Sequence, residues 1–172
     1  HSNKYLIYYL PNKTLHYLTT TSHILKIPLC KITYLRMPDE YGKVVCLFSK
    51  DNYQININED AIKKLSDLEI TAAMIHETRH AYQWFQIIHP EKATETEEQI
   101  MVWQQEFAHY IQPIHDEELF LNQHLEIDAV AFTAIVTKLL FRQDLIIPEI
   151  VKEKVYARIN QMQKQYEYLR TV

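Results

Sequence analysis

Residues 66–88 read SDLEITAAMIHETRHAYQWFQII, and this stretch decides which kind of fold the chain can adopt. Ser66 followed three residues later by Glu69 is a capping box, in which each side chain caps the other residue's backbone N–H at the start of a helix. Helix-forming residues continue to Ile88, two positions before Pro90, where a helix is expected to end. The sequence therefore predicts one long helix over this stretch.

The predicted helix carries His76-Glu77-Thr78-Arg79-His80. Residues four apart on an α-helix lie about 40° apart around its axis, so the two imidazoles lie on one face and Glu77 lies beside them. Such a pair can bind one zinc ion, which lowers the pKa of bound water to about 7, and a neighbouring carboxylate can accept the proton. Composition alone predicts about 0.04 such motifs. We therefore expect one Zn²⁺ per chain, with His76 and His80 as ligands and Glu77 as general base.

A catalytic zinc ion takes three protein ligands and keeps one position open, so one more ligand is required. Glu126 is the preferred candidate, because it lies in a largely apolar predicted helix where an unpaired carboxylate is costly. Ala129 follows on the same face and would allow another helix to approach closely. Asp128 points about 200° away from Glu126 on an ideal helix, so both cannot bind one ion.

The other elements follow from turn residues and apolar periodicity. Helices are expected over 12–26, 95–111, 116–141 and from Pro148 onward, and strands over 31–37, 43–49 and 53–57. Leu15, Leu18 and Leu25 are expected to share one side of the first helix. The first two strands are expected to form a hairpin across the turn at 38–42. A small sheet of about three strands followed by packed helices is an α+β arrangement, expected as one domain over 1–172.

The last helix is expected to be amphipathic with one apolar face, because apolar residues recur every three or four positions. These residues are Val151, Val155, Ile159, Met162, Tyr166 and Leu169.

Composition excludes several classes of function. The net charge is −4, so no nucleic-acid partner is expected. Gly42 is the only glycine, which argues against glycine-rich phosphate loops. The longest mostly apolar stretch, 129–141, is too short to span a bilayer, so no integral membrane segment is expected. Cys30 and Cys46 do not make a disulfide framework, and Cys46 is expected to be a buried free thiol.

The chain begins with His1 and Ser2 rather than with Met. This start is typical of a tag remnant or of a truncation point. A cytoplasmic location is the expectation, and a removed signal or anchor stays open.

The pattern Glu126-x-x-Ala129-x-Ala131-Phe132 follows the His-Glu-x-x-His motif. This combination resembles the gluzincin metallopeptidases. It is most similar to the compact ImmA/IrrE-like and Ste24/HtpX-like catalytic domains. The resemblance covers residues 70–88 and 122–135. It implies a minimal zincin-like fold, Glu126 as the third zinc ligand, and hydrolysis of a peptide or protein substrate. Where those families carry Asp or Asn, this chain has Val130, so the residue that would orient the histidines is in question.

The resemblance also implies that a strand ahead of the motif helix lines a substrate cleft. Residues 53–57, including Tyr53 and Ile55, are the candidate, and a free sheet edge there would pair with an extended peptide. An ordinary sheet edge is the equal alternative.

Some polar residues near the motif have two interpretations. Gln83, one turn beyond His80, could line the cleft or be a polar residue at the helix rim. Arg79 is expected to be a solvated charge, with Asp128 as an alternative partner. His109, His115, His124, Tyr82 and Tyr110 could each stabilise an oxyanion, and none is preferred.

Two other functions remain open. The chain also contains two matches to the Glu-x-x-His pattern of di-iron carboxylate proteins, at Glu77 to His80 and at Glu106 to His109. Composition alone predicts about 0.8 such pairs, so a second one has little weight. A zincin-like module that binds metal or a partner without catalysis is the other alternative; Val130 favours it and Glu77 opposes it.

Overall fold

The computed structural model describes residues 3–171, with side chains described from Thr14 onward. The expectation for His1 and Ser2 therefore lies outside the described residues. Within this range the chain is α+β, with seven α-helices and one three-stranded mixed sheet. It divides into two compact units, one up to Ala81 and one from Tyr82, and the boundary falls inside a helix. A single domain over 1–172 remains a prediction.

The first unit contains the sheet. Its elements are α1 (Asn3–Leu25), β1 (Lys31–Leu35), a 3-10 turn (Asp39–Tyr41), β2 (Cys46–Ser49), β3 (Gln54–Asn58), α2 (Glu59–Ile62) and the first part of α3 (Asp67–Ile88).

The first helix corrects the sequence-based boundary. It begins at Asn3 and passes through Pro11, where the helix was expected to start. A proline inside a helix costs about 3 kcal/mol, which is why the sequence favours a start after it. Leu18 and Leu25 are buried as expected, whereas Leu15 is half exposed and does not share their side.

The sheet has a different order from the one expected. β3 is the central strand, with β1 parallel to it on one side and β2 antiparallel to it on the other. The predicted hairpin between the first two strands is therefore wrong, and the hairpin joins β2 to β3 across residues 50–53. Ile55 and Ile57 of β3 are fully buried. A strand flanked on both edges buries these side chains better than an edge strand would, and turn residues alone do not reveal this.

The capping box of α3 forms as predicted. The Ser66 backbone N–H donates to Glu69 Oε2 at 2.7 Å, and the Glu69 N–H donates to Ser66 Oγ at 3.3 Å. The backbone and hydroxyl hydrogen bonds from Ser66 hold the pKa of Glu69 below its usual value. The helix ends at Ile88, before Pro90, so both predicted boundaries of the motif helix are confirmed.

The second unit is helical in the part of the chain that the structure describes. After the end of α3 it contains a 3-10 turn (Pro90–Lys92), α4 (Glu97–Ala108), α5 (Glu117–Leu121), α6 (His124–Phe141), a 3-10 turn (Glu149–Val151), α7 (Lys152–Tyr166) and a last 3-10 segment (Glu167–Thr171).

The helix predicted over 116–141 is two helices, α5 and α6. Asp116 caps α5, accepting the Leu119 N–H at 2.9 Å. The Glu106 carboxylate of α4 accepts the N–H groups of His124 and Leu125, both at 2.8 Å, and so starts a new helix. The break depends on a residue 18 positions away in the chain, which local periodicity cannot report.

Packing of α6 against α7 forms the core of the second unit. Phe132 and Tyr166 meet edge-to-face with ring centroids 5.1 Å apart. The expected face of the last helix is buried at Val151, Val155, Met162, Tyr166 and Leu169, while Ile159 is only partly covered. Among the described residues, no helix combines the length and the apolar character needed to cross a membrane.

Both cysteines are buried free thiols in the first unit, which confirms the expectation for Cys46. Burial raises the pKa of Cys30 to about 12, the Tyr53 hydroxyl partly opposes this, and the nearby charge of Glu77 adds to it. Burial, with a further contribution from Glu77, also raises the pKa of Cys46 well above its ordinary value. Both thiols therefore stay protonated at neutral and mildly alkaline pH.

We predict that neither thiol reacts with Ellman's reagent at pH 8 while the protein is folded. The thiolate is the reactive form, and a raised pKa lowers its population in addition to the steric protection of burial. Two equivalents should react after unfolding in guanidinium. Lys164→Cys, which adds a thiol at an exposed position of α7, should give one fast equivalent in the folded protein. Fast reaction of the unsubstituted folded chain would contradict the burial of Cys30 and Cys46.

Candidate metal centre

His76 and His80 lie one turn apart on α3, and their Nε2 atoms are 3.1 Å apart. Two nitrogens bound at about 2.0–2.1 Å to one tetrahedral zinc ion are separated by about 3.3 Å. The rings are steeply inclined, at 82°, so the two nitrogens converge without the rings stacking. The i, i+4 spacing therefore gives the convergence that the sequence predicts.

Glu77 is held against the sheet of the first unit. Its side chain is buried, and its Oε2 accepts the backbone N–H of Phe48 in β2 at 2.7 Å. The Asn58 N–H donates to the Val45 carbonyl, so in this antiparallel ladder the Phe48 N–H points away from β3. Glu77 thus lies along the free edge of β2.

Glu126 lies in the first turn of α6 and is 1% exposed. The Tyr110 hydroxyl donates to Glu126 Oε1 at 2.5 Å. Burial of this carboxylate agrees with the expectation from its apolar sequence context. The hydrogen bond gives Tyr110 a partner other than a substrate oxyanion.

One ligand atom from each of His76, His80 and Glu126 lies within 4.8 Å of the other two. Among the described residues, this is the group of three His, Cys, Asp or Glu side chains close enough to hold an ion together. Two imidazole nitrogens and one carboxylate oxygen form the donor set of a catalytic zinc site with one open position. The residues present therefore fit the expected group.

Asp128, two residues after Glu126, is buried in a separate network. Its Oδ2 accepts the Gln83 Nε2–H at 2.7 Å, and its Oδ1 accepts the Arg158 Nε–H at 2.8 Å. Gln83 also donates to the Leu125 carbonyl at 3.0 Å, and Arg158 reaches Glu95 at 3.4 Å. Gln83 is fully buried, so its interpretation as a residue at the helix rim is wrong.

Three other residues differ from the expectation. Tyr53 lies in the β2–β3 turn with its hydroxyl on the Pro28 carbonyl, and Ile55 is fully buried in the central strand. Neither residue belongs to a free sheet edge, because β1 and β2 cover both sides of β3. Arg79 is fully buried, so its interpretation as a solvated charge is wrong.

The second Glu-x-x-His pair is engaged elsewhere. Glu106 caps α6, and its Oε1 also contacts His124 Nδ1 at 2.8 Å. His109 is exposed at the end of α4. Tyr82, which the sequence offers as an oxyanion-stabilising residue, donates its hydroxyl to Glu95 at 2.8 Å. These contacts oppose a di-iron arrangement built on Glu106 and His109.

Two contacts at the site and one in the neighbouring Asp128 network could not be found from the sequence. The Phe48 N–H contributes through its backbone, so its side chain gives no signal. Arg158 meets Asp128 over 30 positions, and Tyr110 meets Glu126 over 16. The sequence marks Tyr110 only as a tyrosine between the two motif blocks, which does not identify Glu126 as its partner.

Comparisons with protein-family models, curated proteins and solved structures each give no significant match to this chain.

We predict that Asp128→Ala lowers the free energy of unfolding by about 3–5 kcal/mol, because Arg158 would lose the nearer of its two carboxylate partners and the buried Gln83 would lose an acceptor. The Asp128 and Arg158 side chains are 2% and 16% exposed. The matched control is Asp144→Ala, which breaks an exposed pair with Lys138 and should cost less than about 1 kcal/mol. Urea unfolding of both variants measures the difference. Equal losses would contradict a buried role for Asp128.

Proposed function

We propose that this chain is a zinc-dependent peptidase with a zincin-like fold, in which His76, His80 and Glu126 hold the ion. The observation that carries the proposal is the convergence of these three donors within 4.8 Å, with the Glu77 carboxylate next to His76 in the sequence. A buried carboxylate beside two convergent imidazoles suits hydrolysis better than storage of a metal.

Bound zinc would supply a Lewis acid that polarises a substrate carbonyl and acidifies water. Glu77 accepts a proton from the attacking water as the water oxygen bonds to the carbonyl carbon. Glu77 then delivers this proton to the amine nitrogen as the carbon–nitrogen bond breaks. The Phe48 N–H orients Glu77 through its hydrogen bond to Oε2.

Peptide is the proposed substrate because an open strand edge lies beside the base. β2 is an edge strand, and its ladder turns the N–H and C=O groups of Cys46 and Phe48 away from β3. The Phe48 N–H is engaged by Glu77, so the N–H and C=O of Cys46 and the C=O of Phe48 are the groups that would pair with a peptide. An extended peptide could add to this edge by main-chain hydrogen bonds. Residues 46–49, and not residues 53–57 as the sequence predicts, are therefore proposed to bind the peptide.

The second candidate function is a zincin-like module that binds metal without catalysis. Val130 favours it, because the similar families carry a polar Asp or Asn at this position. Metal binding and hydrolysis must therefore be tested separately.

The expected metal content is one zinc per chain, measured by elemental analysis after dialysis. His76→Ala should abolish binding, and Glu126→Ala should weaken it by at least about 100-fold, since loss of a ligand exceeds the 10–100-fold effect of a supporting residue. His109→Ala is the control, because this histidine is exposed and outside the group. Two irons per chain, or full zinc retention in Glu126→Ala, would overturn the site.

Glu77→Gln should keep zinc but lower cleavage of an unstructured protein such as casein by about 10²–10⁴-fold, because the amide cannot accept the proton. The amide oxygen can still accept the Phe48 N–H, so the fold should persist. Glu153→Gln, at an exposed position of α7, should cleave like the unsubstituted chain. A zinc-loaded protein that cuts no polypeptide would remove the peptidase proposal and leave the metal site intact.

A further inference from the structure

Tyr110 is fixed in place from two directions within the second unit. Its ring meets Phe120 edge-to-face, with centroids 6.2 Å apart. The neighbouring Ile111 is clamped by the Gln123 side chain, which accepts the Ile111 N–H at 2.9 Å and donates to its carbonyl at 3.1 Å. The hydroxyl of Tyr110 is therefore aimed by packing and by backbone anchoring.

The target of this hydroxyl is one oxygen of Glu126. The Oη–Oε1 distance of 2.5 Å is at the short end of the range for an O–H donor on a carboxylate. The hydroxyl restricts rotation of the carboxylate about its last side-chain bond. Being neutral, it leaves the negative charge of Glu126 in place to attract a cation.

We infer that Tyr110 is a positioning residue for the third metal ligand, an inference that rests on the proposed function. By holding Oε1 in a hydrogen bond, it opposes binding of the ion through both oxygens, so Glu126 would act as a single-atom ligand. A carboxylate that bound through both oxygens would fill the position that a hydrolytic site keeps open. Tyr110 thus sets the coordination number of the site.

The fold does not need this hydroxyl to hold the N-terminal end of α6. Glu106 caps the N–H groups of His124 and Leu125, and Gln123 secures Ile111. Tyr110→Phe keeps the ring that packs on Phe120 and removes only the hydroxyl. The variant is therefore expected to fold with unchanged circular dichroism.

The test uses Co²⁺ in place of zinc, because its visible absorption reports coordination number. The unsubstituted chain should give the intense bands of a four-coordinate ion. Tyr110→Phe should bind Co²⁺ about 10–100-fold more weakly, with weaker bands typical of higher coordination. Tyr34→Phe is the matched control, since it removes a hydroxyl that makes an equally short bond, to Thr14 Oγ1, in the first unit. It should leave affinity and spectrum unchanged.

A second pair of variants separates positioning from a general structural effect. In a Glu126→Ala background, Tyr110→Phe should cause no further loss of Co²⁺ affinity, because the hydroxyl acts through the carboxylate. An equal loss in both backgrounds, or an unchanged spectrum in Tyr110→Phe, would overturn the inference while the metal site stands. If the unsubstituted chain binds neither Co²⁺ nor Zn²⁺, the metal site and the positioning role fail together.

Discussion

Burial of ionised carboxylates is the constraint on which the second unit depends. An isolated charge inside a protein is very costly, so each buried carboxylate must receive hydrogen bonds or an opposite charge. Glu126 and Asp128 lie two residues apart on α6 and are both 1% exposed. At this spacing they point in different directions, so they cannot share one set of partners. Within the second unit, the Tyr110 hydroxyl donates to Glu126, whereas Gln83 and Arg158 donate to Asp128.

The two sets of partners have different chemical consequences. Asp128 meets the Arg158 guanidinium at 2.7 Å, and this cation compensates its charge within the fold. Tyr110 gives Glu126 a hydrogen bond but no positive charge, so this contact orients the carboxylate without neutralising it. In the proposed function, a structural carboxylate and a metal-ligating carboxylate thus lie two residues apart in one helix. Because both carboxylates are equally buried, the proposed difference between their roles depends on the donor that each one meets.

Local patterns in the sequence were sufficient for several features built within one helix, although not for the start of α1 or the side on which Leu15 lies. The capping box at Ser66 and Glu69, the i, i+4 pair of His76 and His80, and the buried face of α7 depend on neighbours within a few residues. Features that join distant parts of the chain could not be predicted in this way. The break before α6 depends on Glu106, and the network at Asp128 depends on Arg158. Neither partner is marked by its own local sequence.

The strand order illustrates how a topological error changes a functional interpretation. Because β3 is central, the backbone groups beside Glu77 belong to β2, and the register of β2 decides which of them face outward. A slip of one residue would turn Leu47 and Ser49 outward and move every side chain of the strand to the opposite face. The four-residue turn to β3, with Tyr53 in the left-handed region at φ 48°, holds this register. Tyr53 therefore influences the site through the sheet, although it does not line it.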